Sequence, residues 1–101
     1  MRLEHLYKII ENRKEKMPEG SYVTSLFKAG KDRIIQKVGE ESTEVIIAAK
    51  NKSKERIISE VADLIFHLLV MLSLFKISPA EILKELGNRT FKSLKQNGLP
   101  V

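Results

Sequence analysis

The sequence predicts an all-α protein, an antiparallel helical bundle of about four to five helices. Three observations predict it. Apolar residues recur three and four positions apart along nearly the whole chain, which is the spacing of one helix face. Strand-type alternation is absent. The turn residues fall in short clusters (Pro18-Glu19-Gly20, Asn51-Lys52-Ser53, Ser78-Pro79), close to helix-starting signals.

Leu3, Leu6, Tyr7 and Ile10 mark a first helix that ends before Met17-Pro18. Ser21 is the expected N-cap of a short second helix through Leu26 and Phe27, with Gly30 as its stop. A third helix is expected from about Asp32 to Ala49, with Ile34, Val38, Val45 and Ala48 as its apolar stripe. Ser53 caps a fourth, from about Lys54 to Phe75. That helix is apolar almost all round beyond Val61, so it is expected to be the buried central one. Ser78-Pro79-Ala80-Glu81 combines a Ser cap, Pro at the first helical position and Glu at the capping-box position. The last helix follows, with Gly87 as a candidate break, and the tail from Asn97 is expected to fray.

At 101 residues the chain is expected to be a single domain, residues 1–101, with a modest core that self-association would reinforce. Its 43% hydrophobic and 31% charged residues fit a globular protein rather than a disordered one. There are no cysteines, which excludes disulfides and thiolate metal ligation and fits a reducing, cytoplasmic location. The N-terminus has no unbroken apolar stretch, and the run Leu64 to Phe75, interrupted by His67 and Ser73, is too short for a bilayer; no membrane partner is expected. A net charge of +5 suits either nucleic acid or a small phosphate-rich ligand.

The acidic residues are more informative than the total charge. Projected at ~100° per residue, Glu41 falls in the middle of the stripe of the third helix and Glu44 near its edge, with Glu40 on the opposite flank. On the fourth helix Glu60 and Asp63 are i,i+3 neighbours set among Val61, Leu64 and Ile65, and His67 continues their face. A bare carboxylate facing a core costs several kcal/mol unless it is paired or binds a cation. Either pair alone is common on solvated helices; two such pairs on the apolar faces of consecutive helices point to a metal site. An all-oxygen donor set favours Mg²⁺, with Mn²⁺ as a substitute, over zinc. His67 reads as a core histidine or one behind the ligands. Gly39 either permits close approach of a substrate or another helix, or is tolerated slack.

The run Lys37-Val38-Gly39-Glu40-Glu41-Ser42-Thr43-Glu44, the segment Ala48-Ala49-Lys50-Asn51 and the run Glu60 to Leu69 closely resemble phosphoribosyl-ATP pyrophosphohydrolases, histidine-biosynthesis members of the all-α, MazG-like NTP pyrophosphohydrolases. The superfamily pattern E-E-x-x-E then E-x-x-D reads here as Glu40, Glu41, Glu44, Glu60 and Asp63. The resemblance covers roughly residues 3 to 95 and leaves no room for a fused cyclohydrolase, so a stand-alone form is expected. It implies hydrolysis of phosphoribosyl-ATP to phosphoribosyl-AMP and pyrophosphate, with Glu41, Glu44, Glu60 and Asp63 as Mg²⁺ ligands. It also implies a homodimer with sites near the subunit interface.

Polyphosphate hydrolysis needs charge neutralised on the phosphate oxygens while water attacks in line. Glu41 or Glu40 is the expected acceptor of the water's proton. Arg33 and Lys37 are the expected phosphate contacts, and Asn51 is either a substrate contact or a simple helix stop. Two alternatives stand beside this reading. One is a house-cleaning NTP pyrophosphatase with the same metal chemistry. The other is a non-catalytic basic helical module for nucleic acid, which would leave the inward acids unexplained; no nucleic-acid partner is expected.

Overall fold

A computed structural model describes residues 1–96, with side-chain surroundings through residue 90. Five helices follow in order: α1 (Leu3–Lys16), α2 (Tyr22–Ala29), α3 (Lys31–Lys50), α4 (Lys54–Leu74) and α5 (Pro79–Gln96). No strand occurs among the described residues. The tail from Asn97 lies outside them.

Local chemistry sets each boundary. Met17 ends α1 in the left-handed conformation, its N–H on the Arg13 carbonyl, and Pro18 prevents continuation. The Ser21 and Ser53 hydroxyls accept from the N–H groups of Thr24 and Arg56, capping α2 and α4. Gly30, at φ 105°, is the single residue between α2 and α3, a geometry that glycine adopts without steric cost. At the start of α5 the Glu81 carboxylate accepts from the Ser78 N–H at 2.8 Å, the return half of the expected capping box. Gly87 does not break α5, which runs through to Gln96.

α3 and α4 form the most extensive helix pair, and α1 and α2 pack across them. The core is Tyr7 and Ile10 of α1, Val23 and Leu26 of α2, Ile34 of α3, and Leu69 and Val70 of α4. At the far end of α4, Ser73 is fully buried; its hydroxyl donates to Glu11 at 2.6 Å while Lys14 donates to its carbonyl at 2.9 Å. This polar clip ties the end of α1 to the end of α4.

α4 differs from its expected role as a buried central helix. Only His67, Leu69, Val70 and Ser73 are buried, while Ile58 is 60% exposed. The reason is that the apolar pattern surrounds α4, whereas its neighbours within the chain cover one side. Within this 21-residue helix an 18-residue window has mean hydropathy 2.0, which meets the length and composition of a membrane span, as the shorter run from Leu64 to Phe75 did not suggest. α5 leans on α1 with Ile82, Leu83 and Leu86 largely exposed.

Candidate metal centre

The antiparallel pairing of α3 and α4 brings together side chains about twenty positions apart. One carboxylate oxygen each from Glu41, Glu60 and Asp63 lie within 4.8 Å of one another. Octahedral Mg²⁺ holds its ligands at about 2.1 Å, which places ligand oxygens about 3 to 4 Å apart. Small side-chain rotations therefore close the cluster around one ion. The donors are all hard oxygens, with no imidazole or thiolate among them, as Mg²⁺ or Mn²⁺ requires. Glu41 and Glu60 are half-buried and Asp63 is exposed, so the cluster opens to solvent on the Asp63 side.

Glu44 lies outside the three-carboxylate cluster, half-buried one turn further along α3. Glu40 is exposed and held by cations, with Arg33 at 2.9 Å and Lys37 at 3.7 Å. Lys37 also reaches Glu41 at 3.1 Å, and both of these side chains are well covered, at 16% and 13% exposure. The hydrogen bond that Lys37 donates to Glu41 raises the Lys37 pKa above its ordinary value; burial opposes this, while Tyr22, Glu41 and Glu40 add to it electrostatically. Lys37 is therefore a committed cation at the edge of the cluster. Asn51 is exposed at the end of α3, its N–H on the carbonyls of Ile47 and Ala49. Among the described residues a Cβ placed on Gly39 would meet nothing within 4 Å, so none of them approaches it closely.

Behind the cluster, His67 is buried. Its Nδ1 lies 2.7 Å from the Asp63 carbonyl and its Nε2 lies 2.9 Å from the Tyr22 hydroxyl. A carbonyl only accepts, so Nδ1 carries a proton; in the neutral ring Nε2 then accepts from the Tyr22 hydroxyl.

Residues 3–90 match the family model described as phosphoribosyl-ATP pyrophosphohydrolase. The chain belongs to that family. Curated relatives named phosphoribosyl-ATP pyrophosphatase include a protein of Geobacter sulfurreducens, 51% identical over 86% of this chain and 81% of its own length. One of Sulfolobus acidocaldarius is 49% identical over 89% of this chain and 95% of its own. One of Clostridium acetobutylicum is 48% identical over 98% of this chain and 92% of its own. The matched span includes every residue of the carboxylate cluster, together with Arg33, Lys37, Tyr22 and His67.

Within this family chain, sequence reasoning singled out all three clustered carboxylates and both neighbouring cations. It did not single out Tyr22. Its partner His67 lies 45 residues away, and no periodicity links positions so distant.

Proposed function

We propose that this chain hydrolyses phosphoribosyl-ATP to phosphoribosyl-AMP and pyrophosphate, the second step of histidine biosynthesis, with Mg²⁺ held by Glu41, Glu60 and Asp63. The single observation that carries the metal assignment is the convergence of these carboxylates from two helices. Leaving three like charges so close is unfavourable unless a cation sits among them. Glu44, one turn along α3, would be a further ligand. Mn²⁺ has the same donor preference and substitutes for Mg²⁺.

When bound, the ion neutralises charge developing on the phosphate oxygens and makes water a better nucleophile. The protein supplies the rest. Glu41 and Glu40 form the acidic pair that takes the proton from the attacking water. Lys37 and Arg33, paired with those same glutamates in the substrate-free protein, turn to the phosphate chain as it arrives. Asn51, exposed at the end of α3, is a further substrate contact.

The active form is a homodimer in the cytoplasm. Ile46, Ile47 and Ile58 leave an apolar surface on α3 and α4, and α5 exposes Leu83 at 64%. A second copy would cover apolar surface of this kind. Sedimentation should give twice the chain mass; a monomer at micromolar concentration would contradict the dimer.

The activity is tested by pyrophosphate release from phosphoribosyl-ATP with and without Mg²⁺, with ATP, dCTP and dUTP as competitors. Metal-dependent turnover of phosphoribosyl-ATP alone supports the assignment. Turnover of ordinary nucleotides instead would keep the carboxylate chemistry and remove the histidine-pathway role.

A further inference from the structure

Tyr22 opens α2, nearly half of its surface exposed, yet its ring is held on several sides. Its hydroxyl hydrogen is committed to His67 at 2.9 Å. The ring stacks offset on Phe66, with centroids 6.0 Å apart at 26°, and meets the His67 ring edge-on at 5.6 Å. Phe66 and His67 are themselves locked edge-to-face at 5.2 Å, and His67 is anchored to the main chain of Asp63. An exposed aromatic side chain normally keeps its rotamer freedom, whereas this one is fixed in advance. Through His67 the ring is tied to the main chain of Asp63, a residue of the carboxylate cluster. On its outer side the residue lines a shallow cleft of about 400 Å³ with Ser21, Ser25 and Lys28.

We propose that Tyr22 is a substrate-positioning residue: the purine base of the nucleotide stacks on its exposed ring, while the polyphosphate runs past Lys37 to the carboxylate cluster. This rests on the hydrolase reading above and extends it from the phosphates to the base. The chemistry suits the position. Every nucleobase offers an apolar face to an aromatic ring. The hydroxyl, its hydrogen already donated, presents only lone pairs and accepts from a substrate hydroxyl or amino group. His67 and Phe66 act through Tyr22 by fixing its ring, and they do not touch the substrate.

The test is steady-state turnover of phosphoribosyl-ATP at saturating Mg²⁺ by the full chain and by Tyr22→Leu and Tyr22→Phe, with inhibition by pyrophosphate measured alongside. Pyrophosphate engages the metal end but not the base end, so it reports the integrity of the carboxylate cluster. Tyr22→Leu should raise KM about tenfold, within the range of lost base stacking, with kcat within about twofold and pyrophosphate inhibition unchanged. Tyr22→Phe, which keeps the ring, should restore most of the KM. An unchanged KM in Tyr22→Leu would overturn the proposal. So would pyrophosphate inhibition weakening in parallel with KM, since that marks a general loss of site structure. If Tyr22→Leu does not fold, the Tyr22 ring protons of the unaltered chain decide: an upfield shift on adding phosphoribosyl-AMP supports stacking, and no shift overturns it. An unaltered chain that fails to turn over phosphoribosyl-ATP at all would remove the hydrolase reading and this proposal together; active protein with an unmoved KM removes the stacking alone.

Discussion

α4 carries two acidic neighbourhoods ten residues apart, and they are built in opposite ways. At its C-terminal end Glu11 accepts from Ser73 at 2.6 Å and from Lys14 at 2.7 Å, with the Tyr7 hydroxyl as a further partner. Near its middle, Glu60 and Asp63 crowd Glu41, and among the described residues the one salt bridge to the three is Lys37 to Glu41. The first carboxylate has a complete set of donors from the protein. The second group is short of positive charge. A satisfied buried network holds helices together, whereas an under-compensated one is kept for what it binds.

The largest effect that separates the two regions is on activity. Asp63→Asn or Glu60→Gln should lower turnover of phosphoribosyl-ATP by at least about 100-fold, as loss of a metal-site group does. The metal-free melting temperature should stay the same or rise, because repulsion is relieved. A clear fall in that temperature would make these acids structural after all.

The clip should respond in the reverse sense. Glu11→Ala leaves the buried Ser73 hydroxyl without its acceptor and should cost about 1–3 kcal/mol of stability by denaturant unfolding. Turnover per folded molecule should be nearly unchanged. Loss of kcat without loss of stability would erase the distinction between the regions.

Acid sharpens the comparison further. Burial pushes the Glu11 pKa up, but hydrogen bonds from Lys14 and Ser73, the Lys14 charge and the Tyr7 hydroxyl outweigh it, so the folded value lies below the usual 4.5. A depressed carboxylate contributes stability that is whole above the unfolded value and fades as pH falls through the folded one. Unfolding followed from pH 6 down to about pH 3 should show this loss, and Glu11→Gln should flatten it. The smallest effect belongs to the exposed Arg89–Glu85 pair on α5. Arg89→Ala should move stability by less than about 0.5 kcal/mol.

Much of this was readable from the residues. Ser21, Gly30, Ser53 and Pro79 mark boundaries by local hydrogen bonding and backbone preference, and the structure places helix ends within a residue or two of them. Glu41, Glu60 and Asp63 were visible because acids on an apolar stripe conflict with burial. Helical projection assigns a face to a residue but not the register between two helices, so it did not separate Glu44 from the three that cluster. Nor does an apolar pattern say what will cover it, which is why α4 looked buried and is largely open. The Tyr22–His67 bond and the Glu11–Ser73 bond join positions 45 and 62 residues apart, and only the fold brings them together.

The central claim is that Glu41, Glu60 and Asp63 hold a divalent cation. Thermal unfolding of the full chain and of Glu60→Gln, with and without millimolar Mg²⁺, tests it most directly. Binding to the native state raises its stability by RT ln(1 + [L]/Kd), about 2.7 kcal/mol at a hundredfold excess over Kd. The account predicts a clear rise in melting temperature for the unaltered chain and little or none for Glu60→Gln. An equal rise in both proteins, or none in either, would contradict it.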